Sequence, residues 1–468
     1  MSRLFVIDNA PSASESESGP LAFASALTPK RVYIDTFGCQ MNQHDSQRMV
    51  SLMAAEGYVP TDGPEDADLI VLNSCSVREK AEHKVRTRAG QMKQYKRRRP
   101  GVVLAIGGCV AQQEGTRMLD RIPQADIVFG PDHIARLPDL VREVVERRRR
   151  ISETEFLSRE AYRFVDTPAE APRQVSAYVS IAKGCDKFCT FCVVPFTRGR
   201  EVSRAAADIV REVETLARQG TREVVLLGQT VNAYGRQRRS DEVPFAELLG
   251  MVAKVDGIER IRFTSPHPAE FTDDQIRAFA RLEKLCPHMH LPVQSGSNRV
   301  LEVMRRGYTR EEYLSIVERL RDVAPQVALT TDIIVGFPSE TEEEFEETLS
   351  LVEQVRFHSA FSFAYSERVR TRALQIEPAV PVEERMRRLR KLQDLQDRIT
   401  QEWLLSMIGE RHRVLIEGPS KTDDRRSTGR TANNRPCHVD GHFEVGTSIE
   451  VEIVEAFKHS LRGTPVSP

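Results

Sequence analysis

The sequence holds no run of about 18 apolar residues of the kind that crosses a bilayer, and its first residues lack a charged-then-apolar secretory pattern. Both absences lead to the expectation of a cytoplasmic protein with no membrane partner. An excess of charge is missing too: 67 Lys and Arg stand against 68 Asp and Glu, leaving a net charge of −1. Binding to nucleic acid through a global basic field is thereby excluded. Any such contact falls to local patches, for which the basic runs 96–99, 147–150 and 385–391 are candidates. The competing reading of each run is a solvated helix face. Cysteine is sparse for a disulfide framework, with eight in 468 residues, and a chain expected in a reducing compartment has no use for one. At 40% hydrophobic and 29% charged the composition is that of a globular protein able to bury its own core. The length suggests two to four domains.

What is present is alternation. Residues 1–29 are rich in Ser, Ala and Glu without periodicity, which predicts a disordered extension. From Lys30 short apolar runs at 31–36, 68–72, 102–106 and 127–129 predict strands, with helices at 46–56, from Glu79 and after residue 106. This is the pattern of parallel βαβ units, an open α/β domain over 30–150. A polar linker is expected over 151–172. Strands are expected again at 176–181, 223–227, 260–264, 288–293, 328–335 and 359–365, with helices between them such as 205–219 and 340–355. Six βα units at that spacing fit a partial, barrel-like parallel sheet over 173–406, closed by a charged helix from Glu383. The tail, 407–468, has alternating runs at 414–417, 442–444 and 449–454 among Gly and Asn, which predicts a small β-barrel.

The cysteines divide by spacing. Cys185, Cys189 and Cys192 lie in AKGCDKFCTFCVVP, just after the first strand of the partial barrel. Loops there build the working face of a parallel barrel. Three thiolates so placed can hold three irons of a four-iron cluster and leave the fourth open to a small molecule. Zinc competes, but it wants a fourth ligand, which this stretch lacks. Cys39, Cys75 and Cys109 are far apart, yet each follows a strand: YIDTFGC, LIVLNSC, LAIGGC. The carboxyl ends of parallel strands share one edge, so these thiols can converge on a second metal site, or else form a redox or nucleophilic set. Nearby small residues (Gly38, Gly107, Gly108, Ser74) suit a close backbone approach. Cys286 and Cys437 fit neither group and are expected to be structural.

At these residues the sequence resembles the methylthiotransferase family of radical S-adenosylmethionine (SAM) enzymes. Within it the likeness is to the branch that makes 2-methylthio-N(6)-dimethylallyladenosine in tRNA. The likeness is carried by CTFCVVPFTRGREVSR, LLGQTVNAYG, FTSPHP, PVQSGSNRVLEVMRRGYTREEY and TDIIVGFPSETEEEF, and runs from about Arg31 into the β tail. One departure is Arg370, where the family usually has Gly. The resemblance implies a methylthiotransferase domain, a radical SAM core and an RNA-binding TRAM barrel. It implies two [4Fe–4S] clusters, a SAM cluster on Cys185, Cys189 and Cys192 and an auxiliary one on Cys39, Cys75 and Cys109. It implies SAM as both radical source and methyl donor, with the methylated sulfur passed to carbon 2 of an adenosine beside the anticodon. The implied partners are the tRNA anticodon loop, a reduced flavodoxin or ferredoxin type of electron donor and iron–sulfur assembly proteins. Relatives of the family perform the same chemistry on threonylcarbamoyl-adenosine in tRNA or on an aspartate of a ribosomal protein. The stretches VVPFTRGREVSR and NRP favour the first target.

No side-chain acid or base breaks an aromatic C–H bond, so the cofactor must supply the reactivity and the chain the positioning. Polar residues at strand ends are the candidates to anchor SAM or the target base: Gln229, Asn232, Ser265, His267, Gln294, Ser295 and Asp332. Phe188 and Phe191 are candidates to exclude water, against a plain packing role. Gly336 is a candidate for close approach of an adenine. RNA is read mainly where its bases are unstacked, and STGRTANNRPCHVDG offers Arg430, Asn433, Asn434 and Arg435 for phosphates and base edges. The plain alternative is a polar hairpin.

Overall fold

The computed structural model describes residues 29–76, 79–166, 174–236, 242–421 and 423–466. All but the last residue of the expected N-terminal extension lies outside them. The chain divides into two compact units, one of residues up to Gly38 together with Asp45–Glu155, the other of Cys39–His44 and Phe156–Pro468.

The first unit is a six-stranded parallel sheet. Its strands are β1 Lys30–Thr36, β2 Tyr58–Pro60, β3 Leu69–Ser74, β4 Val103–Gly108, β5 Ile127–Phe129 and β6 Ile151–Glu153, in the order β2-β1-β3-β4-β5-β6. LIVLNS and VLAIGG are buried throughout because they are central and covered on both faces. Leu69, Val71, Val103 and Ala105 pack into one layer; Ile70, Leu72, Leu104 and Ile106 pack into the opposite one. Two short strands depart from expectation. β2 is an edge strand too brief to show alternation, and β6 occupies the start of the expected linker. The first helix, Gln40–Ala55, begins six residues before the expected position. Ser46 lies inside it, and its hydroxyl bonds Thr36 Oγ1 at 2.7 Å and accepts from Asn73 Nδ2 at 2.9 Å.

The second unit carries β7 Ser176–Ser180, a two-residue hairpin of β8 Ala182–Lys183 and β9 Val202–Ser203, then β10 Glu223–Leu227, β11 Arg260–Phe263, β12 His288–His290, β13 Ala328–Val335 and β14 Ser359–Ala364. Three-stranded parallel sheets β7-β10-β11 and β12-β13-β14 are joined by a bridge between Ile261 and Leu285. The result is an open arc of six strands with β7 and β14 at its edges. β12 stops short of the expected Val293 because Pro292 has no N–H to give the ladder. Val224, Leu226, Ile261, Leu329 and Ile333 face the helices and form the core. Alternate positions turn Tyr178, Glu223, Arg262, Asp332 and Phe361 to the inner face. Two of the covering helices start on reciprocal capping boxes, Thr309 with Glu312 and Thr341 with Glu344.

The tail is a closed barrel of β15 Arg411–Pro419, β16 Arg426–Thr431, β17 Pro436–Asp440, β18 Ser448–Ala456 and β19 Leu461–Pro465, in the order β15-β16-β17-β19-β18. The long helix Val382–Ser406 leads into it, and Leu404 and Met407 belong to its core. Residues 442–444, expected as a strand, form a connector instead; the Phe443 amide donates to the Ser427 hydroxyl at 3.1 Å. The strands β16, β17 and β19 were masked in the sequence by charged and polar residues on their outer faces.

Candidate functional site

The loop after β8 brings the three close-spaced cysteines together. Gly184 takes φ 77, and a Cβ there would stand 2.1 Å from the Arg200 carbonyl oxygen, so no other residue fits. The Cys185 amide donates to Gly199 O at 3.1 Å and the Cys192 amide to Cys189 O at 3.0 Å. Thr190 pins the loop to the wall, its amide bonding Met304 O at 3.1 Å and its hydroxyl Val303 O at 3.0 Å.

Each sulfur meets a polar hydrogen. The Lys187 amide donates to Cys185 Sγ at 3.4 Å, with Thr230 Oγ1 3.1 Å from the same sulfur. The Val194 amide reaches Cys192 Sγ at 3.5 Å. Arg306 Nη1 donates to Cys189 Sγ at 3.3 Å. Burial pushes the Cys192 thiol up to about 12, with the Cys189 charge adding to it, and burial raises Cys185 as well. Neighbouring sulfurs that are each met by a donor, two of which, Cys185 and Cys192, resist ionisation on their own, suit a cationic inorganic group that takes the negative charge off them. The donor set therefore fits a four-iron cluster.

Arg306 was not found by sequence reasoning, although it lies in the quoted stretch VMRRGYTREEY. Its guanidinium is buried, with Nε 3.0 Å from Tyr308 Oη and Nη2 3.1 Å from Pro292 O. Burial works against its charge, but Tyr308 and Cys189 outweigh that and keep it protonated. Glu201 is a second residue that sequence gave no reason to single out. Burial raises its carboxyl to about 7, with Asp186 pushing the same way and Lys187 opposing.

The strand-end candidates separate into two groups. Ser265 after β11 and Gln294 after β12 have φ 60 and φ 74, a left-handed backbone in non-glycine residues where ligands are commonly gripped. Gln229 accepts the Gly184 amide and so shapes the cysteine loop. His267 is buried, and its Nδ1 accepts from the Ala269 amide at 3.3 Å. The ring hydrogen therefore sits on Nε2, which has no partner among the described residues. Burial, then Arg306 and Lys187, push His267 down to about 2, so it is a neutral donor. Asp332 lies on the inner face, 3.4 Å from His290 Nε2. Asn232 and Ser295 make hydrogen bonds within the protein. Asn232 spends its amide on His267, accepting its N–H at 2.8 Å and donating to its carbonyl at 3.1 Å. Ser295 is fully buried and accepts the Ser297 amide at 3.2 Å. Gly336 is reassigned, since a Cβ there would stand 2.4 Å from Arg385 Cγ and helix packing explains the glycine. Phe191 packs edge-on against Phe337, whereas Phe188 is exposed.

The upstream cysteines fall in different places. Cys75 and Cys109 are buried at the ends of the adjacent strands β3 and β4, where Ser74 pairs with Gly108. Gly108 has φ 91, and its Cβ would stand 2.3 Å from Ser74 O. Ser74 Oγ accepts the Val110 and Ala111 amides at 3.2 and 3.3 Å, which fixes the start of the helix led by Cys109. Cys39 is exposed, three residues past β1, in the segment Cys39–His44 that groups with the second unit. Cys286 and Cys437 are both buried, Cys437 in the barrel core and Cys286 beside Arg260, Arg262 and Glu223.

Of the tail's RNA-contact candidates, Arg430 and Arg435 have side-chain partners within the chain. The tip of the β16–β17 hairpin is clasped by the inner face of the arc. Arg260 donates to Arg430 O and Arg413 O, both at 2.7 Å, and Arg262 to Ala432 O at 2.8 Å and Thr431 O at 3.0 Å. Arg262 Nε also pairs with Glu223 at 2.9 Å, both side chains being buried. Arg435 lies over the Trp403 ring at 4.8 Å and donates to His358 O. Arg430 pairs with Glu417 at 3.1 Å. Asn434 has φ 66 and turns the hairpin, next to Asn433. Arg435 thus helps to dock the barrel, while Arg430 and Asn434 make contacts within it. Most members of the three basic runs are likewise committed, Lys96 to Asp126, Arg147 and Arg149 to Glu143, Arg387 to Glu342 and Arg388 to Glu340. No helix among the described residues is long and apolar enough to cross a membrane.

Comparison with known proteins agrees with this layout. A family model described as Uncharacterized protein family UPF0004 matches residues 31–130, the Radical SAM superfamily 179–352 and the TRAM domain 405–466. The chain is 47% identical over 442 residues to a tRNA-2-methylthio-N(6)-dimethylallyladenosine synthase of Myxococcus xanthus, covering 94% of each chain. It is 46% identical over 439 residues to the protein of that name in Syntrophotalea carbinolica, covering 93% of this chain and 100% of that one. Among solved structures it is similar to TsrM, a radical S-adenosylmethionine methyltransferase from Kitasatospora setae, with TM-score 0.53, 14% identity, and 72% of this chain and 73% of that chain covered. It is also similar to OxsB, a cobalamin-dependent radical enzyme, with TM-score 0.51, 12% identity, and 79% and 56% covered. At such identity these two share the fold alone.

Proposed function

Because this chain belongs to the family of tRNA-2-methylthio-N(6)-dimethylallyladenosine synthases, radical SAM proteins with a TRAM domain, we propose that it adds a methylthio group to carbon 2 of N(6)-dimethylallyladenosine beside the anticodon of tRNA. The observation that carries this is near half identity over almost the whole of both chains, joined to a cysteine loop whose three sulfurs are each met by a donor. A radical SAM protein uses SAM and a [4Fe–4S] cluster, which when bound supplies the one-electron chemistry that an aromatic C–H bond demands.

In our reading Cys185, Cys189 and Cys192 would hold that cluster. Gly184 sets the turn that lets the loop fold around it, and Thr230 and Arg306 hold two of the sulfurs in place. His267 offers its Nε2 hydrogen to a polar atom of SAM or of the target base, neutral at any working pH because of its burial. Ser265, Gln294 and Asp332 line the same strand-end face, and Phe188 is the aromatic left exposed beside the thiols. Cys39, Cys75 and Cys109 would hold a second, auxiliary cluster. Gly108, packed against the Ser74 backbone, and the Ser74 hydroxyl fix the strand ends that carry Cys75 and Cys109. The remaining partners are a flavodoxin- or ferredoxin-type donor and iron–sulfur assembly proteins, with the work done in the cytoplasm.

The nucleoside profile of bulk tRNA from a deletion strain tests the assignment. It should lose the methylthio nucleoside and accumulate its dimethylallyl precursor. Loss of the threonylcarbamoyl counterpart, or unchanged tRNA with a lighter ribosomal protein, would move the activity to another target.

A further inference from the structure

We propose that the loop 366–372, leaving the carboxyl end of β14, is the phosphate clamp that holds the RNA strand at the mouth of the arc. The inference rests on the tRNA reading above and names a surface for it.

The loop lies beside the cysteines. Just after it, the Ala373 amide donates to Thr190 O at 2.9 Å, and Thr190 sits between Cys189 and Cys192. RNA held here is therefore held next to the reacting group. The loop is also basic at alternate positions, Arg368, Arg370 and Arg372. Arg370 and Arg372 are exposed and have no ion pair among the described residues, unlike most cations of the three basic runs. In a chain with no net positive charge, unspent arginines on one loop mark where a polyanion is met.

The backbone strengthens the case. Arg370 has φ 67. Arg148 and Arg356 take similar angles as helix C-caps, but Arg370 caps no helix. Glycine would take this conformation without steric cost. A long cation kept in a strained position points to work done by the cation.

The surface beside it separates RNA from other anionic partners. On β14, Phe361 and Phe363 share one face and are 56% and 37% exposed. Asp332 stands opposite Phe361 in register, which puts the pair on the inner wall. An acidic protein needs only the arginines; an unstacked base needs an aromatic face as well. Guanidinium groups bidentate on phosphate would fix the strand while a base settles against the phenyl rings.

The test is fluorescence anisotropy of labelled tRNA bearing the dimethylallyl group, bound to anaerobically reconstituted protein over a range of KCl. Wild type is compared with Arg370→Gly and with Arg370→Gly/Arg372→Gln. Each lost phosphate contact should flatten the slope of log K against log salt by roughly 0.7, so the double variant should lose about 1.4 and bind on the order of tenfold more weakly near 0.1 M salt. Iron content and melting temperature should be no lower than wild type, since glycine relieves the strained position. Wild-type slope and affinity in the double variant would overturn the clamp, and so would weaker binding at an unchanged slope. Normal tRNA binding with slowed reduction by a reduced flavodoxin would also overturn it, making the loop a protein-docking surface. Failure of the wild type itself to bind tRNA would instead strike at the functional reading.

Discussion

Replacing Arg306 with glutamine should lower the reduction potential of the cluster assigned to Cys185, Cys189 and Cys192. The guanidinium donates to Cys189 Sγ at 3.3 Å from a fully buried position, and Tyr308 and Pro292 hold its other nitrogens. Reduction adds negative charge beside that cation, and hydrogen bonds to cluster sulfur favour the reduced state. Unit charges about 4 Å apart interact by about 4 kcal/mol at an effective dielectric near 20. At about 59 mV for each tenfold change, or ~1.4 kcal/mol, this sets an upper bound near 170 mV. The added electron spreads over the cluster, so the expected drop is on the order of 100 mV. The assay is a redox titration followed by EPR, in a background carrying Cys75→Ala and Cys109→Ala so that one cluster reports. Arg306→Lys should recover part of the shift because it restores charge without the fork. Equal potentials in the parent and the glutamine variant would refute the reasoning, as would a lysine variant that falls as far as glutamine.

Other consequences concern stability and acid. Arg262→Gln strips Glu223 of its buried partner and the hairpin tip of two donors, and should cost about 3 kcal/mol in chemical denaturation; a change below about 1 kcal/mol would mean the clasp contributes little. His358 is held down to about 3, by burial first and then by Arg435. The unfolded chain therefore binds a proton that the folded chain refuses, and stability falls as pH drops below about 6.5. Between pH 6.5 and 5 the loss is roughly 2 kcal/mol, and His358→Gln should remove that part of the slope in melts over the same range. Gly184→Ala places a methyl against the Arg200 carbonyl and should prevent the cysteine loop from closing, seen as loss of the iron bound there with the far-ultraviolet spectrum unchanged.

The parallel strands and the cysteine loop were legible because their signals are local. LIVLNS and VLAIGG are continuous apolar runs, and Cys185, Cys189 and Cys192 stand within eight residues of one another. What failed to show depended on contacts distant in sequence. Arg430 and Arg435 have the composition of an RNA loop, and their partners within the chain, Glu417, His358 and Trp403, are ones no spacing rule links to them. The partner of Asn232 was hidden for the same reason: its amide bonds His267, 35 residues away. Arg306 is separated from Cys189 by 117 positions, so its role emerges only when the arc closes. Gly336 was legible as a required glycine but not for its cause, a helix nearly fifty residues further on.

The central claim is that this chain carries two separate thiolate trios. Anaerobic reconstitution followed by an iron count tests it most directly. Wild type should bind roughly eight irons per chain. The variant lacking Cys185, Cys189 and Cys192 should keep about four. So should the variant lacking Cys39, Cys75 and Cys109, and that second variant alone should still release 5′-deoxyadenosine from SAM. A wild type that binds only about four irons, all lost with either trio, would contradict the account.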